Sequence, residues 1–293
     1  MNGESRSSRS WRWLREHAVN IVAALVVLYL LIPIAVIFFF SFNDPQGRYN
    51  YTWVGFTLDH WAHAFSRPEL NEALLTSIKL ALLATLISTV IGTIMALALV
   101  RHQFHGRRLA NFLIVIPMAT PEVVMGAALL SFFLILNTPP LGFETLLIAH
   151  VMFCISFVVV VVRSRLIGFD RSLEEAAQDL GASPIQTFRL VTLPLIFPGI
   201  FGGAMLAFAL SIDDFVISNF NSGTTVTFPL YIFGAAQRGI PVEVNVIAMI
   251  LFGVTVAAMG FATWQQQRAE KMASVRPEQE SAPMPMPGTA AAT

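Results

Sequence analysis

Charge is scarce in this chain. Asp, Glu, Lys and Arg make up 12% of its 293 residues, against about 25% in an ordinary soluble domain. Acids and bases balance at 18 each. A zero net charge argues against a nucleic-acid binder, which needs a basic face, and no nucleic-acid partner is expected. Cysteine is nearly absent. Cys154 stands alone, which excludes an internal disulfide and a zinc site built from cysteines. It sits in an apolar run and reads as a small buried hydrophobe. Lysine occurs only at positions 79 and 271, and neither lysine follows a glycine. A Gly-x4-Gly-Lys-Ser/Thr phosphate loop is missing, so the chain does not hydrolyse ATP by that route.

What is abundant is apolar sequence: 55% of residues, with a mean hydropathy of +0.67. A membrane-spanning helix needs about 20 such residues. Six stretches qualify, at residues 18–43, 80–100, 111–136, 145–162, 190–212 and 244–267. The third is interrupted by Glu122. The first is far longer than the core of a cleaved signal and has no small-residue cleavage site after it, so it reads as a retained helix. The reading is an all-α, polytopic membrane protein. It has a tail at 1–17, a six-helix domain at 18–267 and a second tail at 268–293. The Ser/Arg-rich start and the Pro/Ala-rich end, PMPMPGTAAAT, are expected to be disordered.

Orientation follows from the basic residues. Fourteen of the eighteen fall before the first span, in the second-to-third and fourth-to-fifth loops, and after the sixth. Arg48, Arg67 and Arg238 fall on the other side, and Lys79 lies at the edge of the second span. Both termini are expected in the cytoplasm, which requires an even number of spans. The outer loops lean acidic and carry Trp53 and Trp61, in a region where aromatic anchors are common.

One inner loop differs from the rest. Residues 163–194 read RSRLIGFDRSLEEAAQDLGASPIQTFRLVTLP. Ser172 and Glu175 fit a capping box, Leu173 to Leu180 is good helix sequence, and Gly181 fits the left-handed position after it. Ser183 followed by Pro184 fits the start of a second short helix. Pro194 and Pro198 mark the way into the fifth span. Local chemistry leaves two readings: an ordinary amphipathic surface loop, or a rigid element that couples the membrane domain to another protein.

A resemblance separates them. Glu175, Ala176, Ala177, Gly181, Leu193 and Pro194 match the E-A-A-x3-G-x9-I-x-L-P pattern of ABC importer permease subunits, with Val191 in place of the usual isoleucine. The resemblance implies a type I ABC importer permease fold. It also implies that Glu174, Glu175, Ala176, Ala177, Asp179 and Gly181 form the segment that docks into a cleft of a separate ATPase. That ATPase would bind ATP and magnesium, with no cofactor in this chain.

Four ionisable groups fall at membrane depth: Lys79, Glu122, Asp213 and Asp214. Buried charge there is costly and marks functional candidates. Pro117 and Pro121 should break the third span beside Glu122. Counted from Asn111 along an ideal helix, Glu122 lies about 16 Å in, near mid-bilayer. Three carboxylates against one lysine point to a cationic substrate, with Glu122, Asp213 and Asp214 lining its path. The competing reading pairs them with arginines of a second subunit or with backbone amides at a broken helix. Asp213 and Asp214 would point about 100° apart on a helix, so one is expected to face a path and the other to make a structural hydrogen bond. His150 reads as a packed, hydrogen-bonded side chain.

The whole stretch from about Tyr29 to Trp264 resembles the bacterial spermidine/putrescine permeases, specifically the second, smaller permease of the pair. Ser41–Asn43, Thr120–Met125, Phe157–Asp170, Leu173–Ser183, Leu210–Ser218 and Pro241–Asn245 carry this likeness. It implies a bacterial inner-membrane location. The implied partners are a homologous second permease, two ATPase copies, an extracytoplasmic binding protein and a polyamine substrate. Lys79 departs from the small polar residue expected there. The apolar segment 223–239 is expected to fold back toward the path or to contact the binding protein. Two alternatives remain: the same architecture for another solute, such as a metal chelate, a phosphonate or thiamine, and an ion-coupled secondary transporter. The long inner loop disfavours the latter, which needs no ATPase dock.

Overall fold

A chain in hydrocarbon must satisfy its own N–H and C=O groups, and helices do so segment by segment. The computed structural model is helical accordingly. It describes residues 6–47, 50–137, 139–168 and 170–280. Among these, the only β-pairing is one isolated bridge, Asn43 with Phe56. The helices are α1 (Arg6–Phe40), α2 (Asp59–Ala62), α3 (Pro68–Arg101), α4 (Arg107–Ala119), α5 (Glu122–Leu136) and α6 (Phe143–Ile167). They continue with α7 (Ser172–Asp179), α8 (Pro184–Thr187), α9 (Leu193–Ile212), α10 (Val216–Asn221), α11 (Phe228–Arg238) and α12 (Val242–Glu280).

Among the described residues, four helical runs are long and apolar enough to cross a membrane: His17–Phe40, Pro68–Arg101, Phe143–Ile167 and Pro184–Ile212. The third apolar stretch is not one rod. It divides into α4 and α5, bent by 112° at Thr120–Pro121. The proline break expected from the sequence is there, and its angle removes the straight-helix depth assigned to Glu122. In α12 the apolar part is Val242–Ala257, shorter than a membrane crossing requires, so the sixth span expected at 244–267 is not among these runs. Helix extends further at both ends than composition indicated. It begins at Arg6, and it continues through residues 268–280, where Gln, Arg, Ala, Glu, Lys and Met are good helix formers. The tail positions 1–5 and 281–293 lie outside the described residues.

Two units make up the chain, residues 1–64 with 241–293 and residues 65–240. In the first, α1 and α2 contact α12. The apolar window of α1 has no buried residue, as suits a helix facing lipid or another subunit. Its end is organised by Asn43, which is fully buried. The Asn43 amide donates to Asn50 Oδ1 (2.6 Å) and to the Thr52 carbonyl (2.8 Å), and its oxygen accepts from the Val54 N–H (2.8 Å). Asn50 in turn donates to the Phe40 carbonyl at 2.9 Å, satisfying an orphan acceptor of α1. Phe42 stacks on Phe56 and on Trp61. Trp61 also packs on Ala64, Val242 and Val246.

The second unit is built on α3, α6 and α9, each packed on the other two. Its core includes Ala96, Leu99, Phe153, Val158, Val162, Ile196 and Ala207. Membrane helices approach closely through small residues, and here the approach is tight. A Cβ added to Gly92 of α3 would lie 2.7 Å from Val158 Cγ1 of α6, and one on Gly199 of α9 would lie 2.8 Å from Arg165 Cβ. Gly253 of α12, by contrast, has nothing within 4 Å of such an atom. Gly92→Ala is expected to destabilise the protein by about 1–3 kcal/mol through overpacking, and Gly253→Ala to leave it unchanged or slightly more stable. Thermal unfolding of the two detergent-solubilised variants checks this. Equal melting temperatures would refute the close α3–α6 contact.

Candidate functional site

The segment after α6 is a rigid element bounded by specific caps. Asp170 Oδ1 accepts the Ser172 N–H at 3.0 Å. This replaces the expected Ser172–Glu175 capping box, because α7 begins at Ser172 itself with no side-chain cap at Arg171. A carboxylate acceptor makes the stronger, charge-assisted bond. The Ser172 N–H and hydroxyl hold the Asp170 carboxyl below its ordinary range, so it stays ionised at neutral pH. At the other end Gly181 has φ +87°. Its N–H bonds to the Gln178 carbonyl (2.8 Å) and the Ala182 N–H to that of Ala177 (3.1 Å), the paired pattern of a glycine C-cap.

Ser183 then starts α8 as expected, with a reciprocal cap. Gln186 Oε1 accepts the Ser183 N–H (2.8 Å), and Ser183 Oγ accepts the Gln186 N–H (3.3 Å). The second helix is not a separate piece, however. After Thr187 a π-helical turn, Phe188–Thr192, carries the chain directly into α9. Pro194 lies in the first turn of α9, and a wider turn ahead of it accommodates a residue that cannot donate to the preceding carbonyl. The loop is thus one short helix joined to the extended end of the fifth apolar run.

The expected coupling residues divide by what they touch. Glu175, Ala176, Asp179 and Gly181 are exposed, and Ala177 is half-buried. Leu180 (90% exposed) and Ile185 (78%) add an apolar surface beside them. Glu174 turns the other way. Both of its oxygens receive the Arg101 guanidinium at the end of α3, Nη2 to Oε1 at 2.6 Å and Nη1 to Oε2. The Thr192 hydroxyl of the π turn donates to Glu174 Oε1.

The membrane-depth carboxylates also separate. Glu122 is the first residue of α5, exposed, at a helix N-terminus that favours negative charge. Asp213 closes α9 and is exposed. Asp214 is buried and structural. Its oxygens accept the N–H groups of Ile217 (3.2 Å) and Ser218 (2.8 Å), capping α10, and Oδ2 lies 3.4 Å from His150 Nε2. His150, 2% exposed, also bonds Ser211 (2.8 Å) and Ser218 (3.1 Å). One member of the pair, Asp214, makes structural hydrogen bonds, and the other, Asp213, is exposed. α10 packs on α5, with the Asn221 amide donating to the Gly126 carbonyl at 3.3 Å. This packing joins the element after the Asp pair to the helix that Glu122 begins. Lys79 is exposed on α3, and no carboxylate pairs with it among the described residues.

A further cleft of about 600 Å³ lies between α3 and the 223–239 segment, lined by Glu69, Glu72, Thr76, Thr225, Tyr231 and Arg238 among others. That segment folds as α11 and is tied to α3, the Phe228 N–H donating to Ser77 Oγ at 2.8 Å.

Several apolar helices long enough to cross a membrane, one of them broken, are the build of a multi-pass membrane protein. Comparison makes the class specific. Residues 88–271 match the family described as the binding-protein-dependent transport system inner membrane component, and the chain belongs to that family. It is 38% identical over 239 residues to the spermidine/putrescine transport system permease protein PotC of Haemophilus influenzae, covering 81% of this chain and 92% of that protein. To PotC of Escherichia coli K12 it is 38% identical over 227 residues, covering 77% and 85%. To the putrescine transport system permease protein PotI of the same strain it is 36% identical over 259 residues, covering 86% and 91%. Among solved structures, a bacterial ABC transporter for import of the acidic polysaccharide alginate matches with a TM-score of 0.62 at 20% identity, over 91% of this chain and 99% of that one. The MetNI methionine ABC transporter matches with a TM-score of 0.52 at 18% identity, over 69% and 98%. The fold is that of ABC importer permeases.

Sequence reasoning missed Arg101 and Thr192, although Thr192 is the free position inside the I-x-L-P part of the motif. Arg101 lies 73 residues from its partner Glu174, and no local signal links them. The role of Asp214 leads to a direct test. Asp214→Ala removes a cap and strands buried polar groups of α10 and His150, which is expected to cost about 1–3 kcal/mol. Asp213→Ala, at an exposed position, is expected to leave stability within about 0.5 kcal/mol. Melting of the two purified variants measures the difference, and equal losses would contradict the assignment.

Proposed function

We propose that this chain is a translocation subunit of an ATP-driven polyamine importer of the spermidine/putrescine type, working in the bacterial cytoplasmic membrane. It spans that membrane six times with both termini inside. A homologous second permease completes the path, two ATPase copies bind and hydrolyse ATP with magnesium, and an extracytoplasmic binding protein delivers the solute. The chain itself is not catalytic and needs no cofactor. The observation that carries this reading is identity of 36–38%, over most of the chain, to three permeases named for spermidine or putrescine transport. The acidic character at Glu122 and Asp213 agrees with it, since a protonated polyamine gains from carboxylates in a medium of low dielectric. Glu175, exposed on α7 beside Leu180 and Ile185, is the group offered to the ATPase, and Ala176 and Ala177 allow the two surfaces to close on each other.

Two measurements test the two halves of the proposal. In liposomes holding both permeases and the ATPase, ATP hydrolysis is expected to rise when the binding protein carries spermidine or putrescine. No rise with any polyamine, but a rise with a phosphonate, a metal chelate or thiamine, would replace the substrate and keep the architecture. Glu175→Ala is expected to abolish uptake while leaving the affinity of the binding protein for its solute unchanged. Normal uptake by that variant would remove the docking role.

A further inference from the structure

Glu174 and Glu175 are neighbours in sequence and face opposite ways. Glu174 joins three elements. It sits in the first turn of α7, receives a two-pronged guanidinium from Arg101 on the last turn of α3, and accepts the Thr192 hydroxyl from the π turn that opens into α9. Both charged side chains are only 14% exposed. A fork-to-fork pair of this kind fixes orientation as well as distance. Shielded from water and salt, it is held more firmly than a surface pair. α7 has no buried residue. Hydrophobic burial therefore does not hold the helix to the rest of the unit, and its attachment rests on these polar contacts and on its two ends.

We propose that Glu174 is a positioning residue that bolts α7 to α3 and α9, so that a push received at Glu175 moves both membrane helices rather than bending the loop. This rests on the ATPase-driven reading above and adds to it a division of labour within one dipeptide. Glu175 receives force from outside the chain. Glu174, with Arg101 and Thr192, passes it on. α3 and α9 are two of the three helices that form the core of their unit, so the clamp acts where the packing is most continuous. The π turn is suited to the same task, because such turns occur at functional points where a helix must accept a change in register.

The test uses the full transporter in liposomes and follows two quantities: solute taken up per ATP hydrolysed, and the amount of ATPase that copurifies with the permeases. Glu174→Gln and Arg101→Gln are each expected to lower uptake per ATP by about fivefold to tenfold, while copurification stays at the wild-type level. The double variant is expected to be no worse than either single one, because partners in one interaction are not additive. Thr192→Val, a mild change, is expected to lower uptake per ATP by about twofold with copurification intact, and it serves where a charge variant fails to assemble. Loss of copurification in Glu174→Gln comparable to that in Glu175→Ala would make Glu174 a docking residue and overturn the proposal. Additive losses in the double variant, or unchanged uptake per ATP in all the variants, would overturn it as well. A wild-type assembly that shows no ATP-dependent uptake would instead sink the importer reading on which the proposal stands.

Discussion

Where a helix stops, its first N–H and last C=O groups lose their partners, and hydrocarbon offers no water to replace them. Every break in this chain at membrane depth therefore has to be supplied from within. α10 makes the point most clearly, with six residues held at both ends. Asp214 accepts two of its leading N–H groups, and the Thr145 hydroxyl donates to the carbonyl of its last residue, Asn221, at 2.7 Å. At the end of α4 the Thr120 hydroxyl returns to the Ile116 carbonyl at 2.7 Å. At the end of α1 the Asn43–Asn50 pair does the equivalent work. Of the three carboxylates expected to line a path, Asp214 is consumed in making a broken helix tolerable, while Glu122 and Asp213 are exposed.

That partition explains why adjacent acidic residues differ so much here. Asp213 and Asp214 are consecutive, yet one is exposed and the other is buried against His150 and the N–H groups of Ile217 and Ser218. Glu174 and Glu175 repeat the pattern at the edge of the membrane domain. Glu174 and Glu175 share a helix, where neighbours point about 100° apart, whereas Asp213 and Asp214 lie in the break between α9 and α10, where irregular backbone rather than helical geometry separates them. The inward member of each pair fixes the backbone, and the outward member is thereby held in a defined direction.

The sequence was informative wherever the cause of a feature is local. Gly181, Ser183 and Pro184 announced their positions because left-handed glycine and N-terminal proline follow from the chemistry of one or two residues. Pro117 and Pro121 likewise announced a break, though nothing local fixed its 112° angle. Local reasoning failed where two local candidates competed. Ser172 was a good cap on its own terms, and Asp170, two residues earlier, was a better acceptor. It also failed where the partner is distant. Arg101 meets Glu174 across 73 residues, and His150 meets Ser211 across 61. The whole-chain likeness to permeases for spermidine and putrescine was carried by segments such as Ser41–Asn43. In that segment Ser41 and Asn43 are fully buried, and Asn43 organises the end of α1.

A solved transporter of acidic alginate shares this fold, so on the proposed reading a cation cannot be selected by the helical scaffold alone. Selection has to lie on side chains that can be exchanged without unmaking the scaffold. Glu122 and Asp213 meet that condition, being exposed and outside the buried cap network, whereas Asp214 does not. The proposed coupling segment would impose the opposite demand, because a surface that receives force must not yield. Its capped α7, the glycine closure at Gly181 and the Arg101–Glu174–Thr192 contacts all restrict motion. On the proposed reading, the exposed carboxylates set what is carried and the Glu174 clamp transmits the drive, so the two sets of residues are expected to tolerate substitution in quite different ways.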